Sequence, residues 1–283
     1  MGGTVADTKR WSKAPKLALW AGEGEGMGRT YVDPETDLRY PSVTTILKNT
    51  PKADMLQWVA NVVAQKAVDN YAKLGQDPDQ VMKWLPYAHN DYRDERAWVG
   101  SGVHATIQSD HEGTWEYYEL DAEQLRILSK WEKFCKVYKA NILLSEKTIL
   151  GDGYMGTFDA ILEWTDPITG EQHVSLIDLK TSKSLHDENW MQLAALANGT
   201  VMFTEVPEGT EGAWKRKGKT KKDDSWWIKE PMPEFDSVAI VHLREDSYGL
   251  YEPECSLDLY YDEFMCYRDL AVAQQKRKEA LRD

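Results

Sequence analysis

Residues 173 to 181 read HVSLIDLKT, and residues 156 to 164 just upstream read GTFDAILEW. In an extended strand alternate side chains share a face, so Val174, Leu176, Asp178 and Lys180 point one way and Ser175, Ile177 and Leu179 the other. Both faces are largely apolar, the pattern of a strand covered on both sides by other layers. A carboxylate and an ammonium at the end of such a strand carry a desolvation cost unless they face a metal, a substrate or each other. Two readings stay open on this stretch alone: a buried Asp178–Lys180 ion pair, or reactive groups at the mouth of a site.

The upstream strand places Asp159 shortly after a Gly-Thr pair, and Asp178 follows 19 residues later, beyond the turn-like TDPITGEQ. Neighbouring strands lie about 4.8 Å apart, so two carboxylates in matching register can hold one divalent cation. Without a cation they repel, which raises a pKa; with one, both charged forms are favoured. ILLSEKTIL at 142 to 150 precedes them, and three consecutive strands predict a meander.

Upstream of Asn141 the apolar spacing is helical. Met55, Val59, Val62 and Val63 recur at helical steps, as do Leu125, Leu128, Trp131 and Phe134, so residues 51 to 140 are expected to hold about four helices. Downstream the pattern predicts a helix from Asp187 to Met202, a polar stretch from Pro207 to Pro233, strands in DSVAIVHLRE and YGLYEPE, and a closing helix from Asp258 to Leu281. The fold class is therefore α/β: a central mixed sheet flanked by helices and preceded by a helical region. Residues 1 to 40 read as a flexible or extended lead, with an extended segment around Arg29 to Val32. Residues 41 to 283 read as one domain, helical to about 140 and sheet-based beyond. GEGEGMGRT in the lead lacks the phosphate-loop spacing, since position 23 is Glu and the usual lysine is Arg29.

The chain has 34 basic and 47 acidic residues among 283, a formal charge of -13, so any nucleic-acid site must be local rather than a property of the whole surface. No stretch has the run of about 18 apolar residues that spans a bilayer, and the N-terminus lacks a secretory core; a cytoplasmic location without membrane association is expected. Cys135, Cys255 and Cys266 form no CxxC pair and read as buried free thiols rather than disulfides or a zinc ribbon.

GTFD, then DLKT, then a helix carrying QLAALA resembles the PD-(D/E)XK nuclease superfamily, in particular its RecB-like branch of phage-encoded and CRISPR-associated exonucleases and the mitochondrial genome-maintenance exonuclease. YPSVTTIL at 40 to 47, GSGVHATIQ at 100 to 108 and VAIVHLRE at 238 to 245 extend the likeness over most of the chain. The resemblance implies a restriction-endonuclease-like core and a Mg²⁺- or Mn²⁺-dependent exonuclease that hydrolyses DNA ends in phage-type replication, recombination or repair. It would act in the bacterial host cytoplasm if phage-encoded, with DNA as partner and a recombination or replication protein as a further candidate. Matched residue by residue, it implies His104, Asp159 and Asp178 as metal ligands and Lys180 and Gln192 as catalytic partners, with Glu146 as an additional acidic candidate. On composition alone His104 reads as a core histidine, and it is the accompanying motifs that turn it into a metal ligand; an ordinary helix residue is the alternative for Gln192. Leu196 stands where the branch often has a tyrosine, and three cysteines are too few for the four-cysteine iron–sulfur cluster of CRISPR-associated members, so no such cluster is expected. A non-catalytic binding module on the same fold and a structure-specific endonuclease are the alternatives.

One basic run, Lys215, Arg216, Lys217, Lys219, Lys221 and Lys222, is flanked by Trp214, Trp226 and Trp227. It reads either as a DNA-binding element, with lysines on phosphates and tryptophans under bases, or as a solvated hairpin tip braced by cross-strand aromatics.

Overall fold

The computed structural model describes residues 20–24, 28–51, 55–75, 77–113, 120–217, 221 and 224–281. Most of the expected lead, residues 1–19 and 25–27, lies outside them, as do Lys219 and Lys222.

The described part of the lead is not a loose segment. β1 (Trp20–Gly24), β2 (Gly28–Val32) and β3 (Arg39–Pro41) form an antiparallel three-stranded sheet in that order. Tyr31, Val32 and Asp33 are buried. Ser42 then caps α1 (Val43–Ile46), its hydroxyl accepting from the Thr45 amide at 3.0 Å.

The helical region contains α2 (Met55–Asp69), α3 (Tyr71–Leu74), α4 (Pro78–Trp84), α5 (Ala88–Glu112) and α6 (Ala122–Tyr138). α5 stops at Gly113, whose φ of 65° suits a residue without Cβ. A reciprocal capping box between Asp121 and Gln124 starts α6. α2 is the helix that the spacing of Met55, Val59, Val62 and Val63 predicts, and none of its residues is fully buried.

β4 (Asn141–Gly151), β5 (Tyr154–Thr165) and β6 (Gln172–Lys180) make the expected meander. α7 (Asp187–Ala197) stops five residues short of the predicted end, because β7 (Val201–Val206) begins there and pairs with β4. The polar stretch hides two more strands, β8 (Trp214–Arg216) and β9 (Ser225–Pro231); β10 (Ser237–Leu243), β11 (Tyr248–Tyr251) and α8 (Leu257–Ala280) complete the chain. The eight-stranded sheet has the order β11-β10-β6-β5-β4-β7-β9-β8, mixed because β10 runs parallel to β6.

The alternation along β6 divides the core. Leu176 faces a cluster with Trp190, Leu193 and Leu196 of α7 and Phe264 of α8. Ile177 and Leu179 face Val99, Val103 and Ile107 of α5 and Ile127, Trp131 and Phe134 of α6. Two glycines explain how α5 comes so close to its neighbours: a Cβ on Gly102 would stand 2.1 Å from Gln124 Nε2, and one on Gly100 3.1 Å from Thr181 Oγ1. Among the described residues no helix is long and apolar enough to cross a membrane.

Candidate active site

A cavity of about 1130 Å³ lies between α5, the β4–β5–β6 meander and the turn after β6. α5 lines it with Tyr92, Arg96, Gly100 and His104, four residues apart, and with Arg93, Ala97 and Ser101 beside them, a single helix face. The close packing allowed by Gly100 and Gly102 thus sets His104 against the sheet. Gly156 acts similarly in β5: a Cβ there would meet Leu196 at 2.7 Å and Val43 at 2.9 Å, so the start of GTFDAILEW must stay small for Asp159 to reach the cavity.

His104, Glu146 and Asp159 each offer a ligand atom within 4.8 Å of the others. Asp159 Oδ1 is 3.5 Å from His104 Nδ1, and its Oδ2 accepts the Leu179 amide at 2.6 Å. Glu146 holds φ at 49°, a left-handed conformation that a residue with a side chain adopts at a cost. It lies between Ser145 and Lys147, which pair with Ala160 and Phe158 of β5, and its twist brings a third donor to the group.

The electrostatics of the trio are those of two carboxylates short of a cation. Burial alone would lower the His104 pKa, but the charge and hydrogen bond of Asp159, with Glu146 behind, raise it to about 9. Burial and the nearby Asp159 charge push Glu146 up to about 8. Asp159 is held below its ordinary value: burial opposes ionisation, and the facing His104 outweighs it. The protonated imidazole thus supplies the positive charge that a cation would otherwise supply. One imidazole nitrogen and carboxylate oxygens form a donor set that fits a divalent metal ion.

Asp178 lies outside this trio. It is buried, and Lys180 Nζ approaches its Oδ2 at 2.5 Å while Gln192 Nε2 donates to its Oδ1 at 3.1 Å. Lys180 Nζ also donates to Gln192 Oε1 at 3.2 Å, closing a three-membered network between β6 and α7. Burial raises the Asp178 carboxyl to about 6 against the pull of Lys180, while Lys180 itself, disfavoured by burial, is raised by Asp178. The ion pair that the strand alone left open is therefore present, and it adjoins the trio: Lys180 and Gln192 line the cavity.

The basic run is elsewhere. β8 is the sheet edge, separated from β4 by β9 and β7, and neither its residues nor Lys217, Lys221 or Trp226 line the cavity. Lys215 pairs with Asp224 at 2.7 Å and stands 5.1 Å from the Trp226 ring centroid, while Trp214 pairs across the strands with Trp227. The cross-strand tryptophans brace this hairpin, and its described basic residues stand away from the cavity. The cavity wall instead receives Arg29, Arg93, Arg96 and Lys183, none of them read from sequence as part of the site. The α5 residues were legible as an i, i+4 row reaching back from His104, whereas nothing local marked Arg29. Of the cysteines, all free, Cys135 is partly buried as expected, but Cys255 and Cys266 are exposed.

Scanned against known protein families, the chain matches no family profile, and no curated protein matches it.

Proposed function

We propose that this chain is a divalent-metal-dependent nuclease of the PD-(D/E)XK type that hydrolyses phosphodiester bonds at DNA ends. The observation that carries the reading is the convergence of His104, Glu146 and Asp159 with Lys180 in one open cavity walled by arginines and lysine, in a chain whose net charge is -13. Mg²⁺ or Mn²⁺ bound by the trio would supply an activated water and neutralise charge building on the phosphoryl oxygens. Lys180, fixed by Asp178 and Gln192, puts a preorganised positive charge beside the reacting phosphate. Arg29 and Lys183 offer phosphate contacts in the same cavity.

Purified protein incubated with end-labelled linear DNA and with circular DNA, in Mn²⁺, Mg²⁺ or EDTA, tests this reading. Metal-dependent loss of linear DNA with circles spared is expected. Absence of cleavage in both metals would overturn the nuclease reading, and nicking of circles would replace end-directed by internal cleavage.

A further inference from the structure

The cavity extends along α5 away from the metal-ligating trio, and its far wall is aromatic. Trp58 of α2 and Tyr92 of α5 both line it, their rings 6.1 Å apart at 64°. Trp58 remains 38% exposed although it is among the largest apolar side chains; its ring packs edge-on against His89 and Tyr92 and belongs to none of the buried core clusters. Lys183 Nζ stands 5.8 Å from the Tyr92 centroid, and Arg93 and Arg29 share the cavity. Aromatic faces interleaved with cations on one concave wall are what an unpaired strand requires: π-faces for bases and charges for the phosphates between them. A duplex keeps its base faces stacked on one another and presents only backbone and groove edges.

We propose that Trp58 and Tyr92 form a base-stacking platform, so that the cavity binds nucleic acid as a single strand running from this wall to the trio. The direction of the strand rests on the nuclease reading; the binding does not. Tyr92 precedes His104 by twelve residues of one helix, about 18 Å along its axis, or about five nucleotides of stacked strand at 3.4 Å each. A stacked strand of about three nucleotides, seated at the trio, spans only about 10 Å and falls short of the platform.

The test is fluorescence anisotropy in EDTA, so that nothing is cut, with labelled oligothymidylate of about 15 nucleotides, a version of about three, and a blunt duplex of the longer length. The longer single strand is expected to bind more tightly than the duplex. Trp58→Leu, which keeps apolar bulk but removes the ring, should weaken that binding by about 5- to 150-fold; Trp58→Phe should retain most of it, and Tyr92→Leu should repeat the loss. The short strand should be indifferent to all three. Unchanged affinity of the long strand for both Leu variants overturns the platform, as does an equal loss for duplex and single strand. If wild type cleaves DNA in Mn²⁺ but both Leu variants bind as wild type, the platform falls and the nuclease reading stands. If the binding pattern is as expected but nothing is cleaved in Mn²⁺ or Mg²⁺, the platform stands and the nuclease reading falls.

Discussion

Asp159 is held ionised because three neighbours, the His104 imidazolium, the Lys180 ammonium and the Leu179 amide, outweigh its burial. Metal binding must remove the proton from His104 and leave Glu146 ionised. With the imidazole raised to about 9 and the carboxyl to about 8, protons compete with the metal below those values, so affinity rises with pH and levels off above them. Calorimetry near pH 7 in two buffers of different ionisation enthalpy should therefore show between about one and two protons released per Mn²⁺ bound; zero release would mean that these residues are not the ligands. At the neighbouring network, Lys180→Ala is expected to lower kcat by about 100- to 1000-fold, the usual cost of losing one preorganised charge at a transition state. The fold should survive, because the Asp178 carboxyl, already raised to about 6, takes up a proton once its partner is gone. Near wild-type turnover in that variant would remove Lys180 from the chemistry.

At the scale of elements, β4 contains the clearest conflict between stability and site. Glu146 combines a φ of 49° with a partly buried carboxylate beside another, and both disfavour the metal-free fold. Glu146→Gly should raise metal-free stability by about 1 kcal/mol, or about 2 to 4 °C in a chain of this size, while abolishing the rise in Tm on adding Mn²⁺. Scanning fluorimetry in EDTA and in Mn²⁺ reads both; a lower metal-free Tm would show that Glu146 is not strained. A meander, a mixed sheet and flanking helices were legible because β4 to β6 and β10 alternate cleanly between two covered faces, and Asp159, Lys180 and His104 were legible because they sit in short motifs on those elements. The twist at Glu146 was not, since no turn residue marks it. β7 and β9 were not, because they begin and end within polar sequence and are held by pairing partners distant in the chain. The aromatic wall was missed for a related reason: the spacing of Met55 and Val59 marks a helix but not what it faces, and only the tertiary structure puts Met55 and Trp58 of α2 on the cavity wall.

At the scale of the whole molecule, the cavity depends on a fastening between two sheets. β2 delivers Arg29 and Tyr31 to the cavity, and the turn after it is tied to β9 by Lys229, whose Nζ lies 2.9 Å from Asp33 Oδ2 and 2.5 Å from Glu35 Oε2. The same ammonium stands over the rings of Phe203 and Trp214 at 5.5 and 5.7 Å, so strands β7 and β8 share the joint. Asp33 is buried, and removing its cation leaves a carboxylate that, among the described residues, has the Glu35 amide at 3.0 Å as its remaining partner. Breaking one half of such a pair costs about 3 kcal/mol, so Lys229→Ala should lower Tm by roughly 6 to 12 °C. Replacing both partners, as Lys229→Met with Asp33→Leu, removes the stranded charge and should recover most of that loss. Because Arg29 depends on this joint while His104, Glu146 and Asp159 do not, KM for DNA should rise in Lys229→Ala below its melting point, with kcat nearly kept. An unchanged Tm would mean that the small sheet is fastened elsewhere; a loss confined to kcat would mean that the joint acts on the trio rather than on substrate binding.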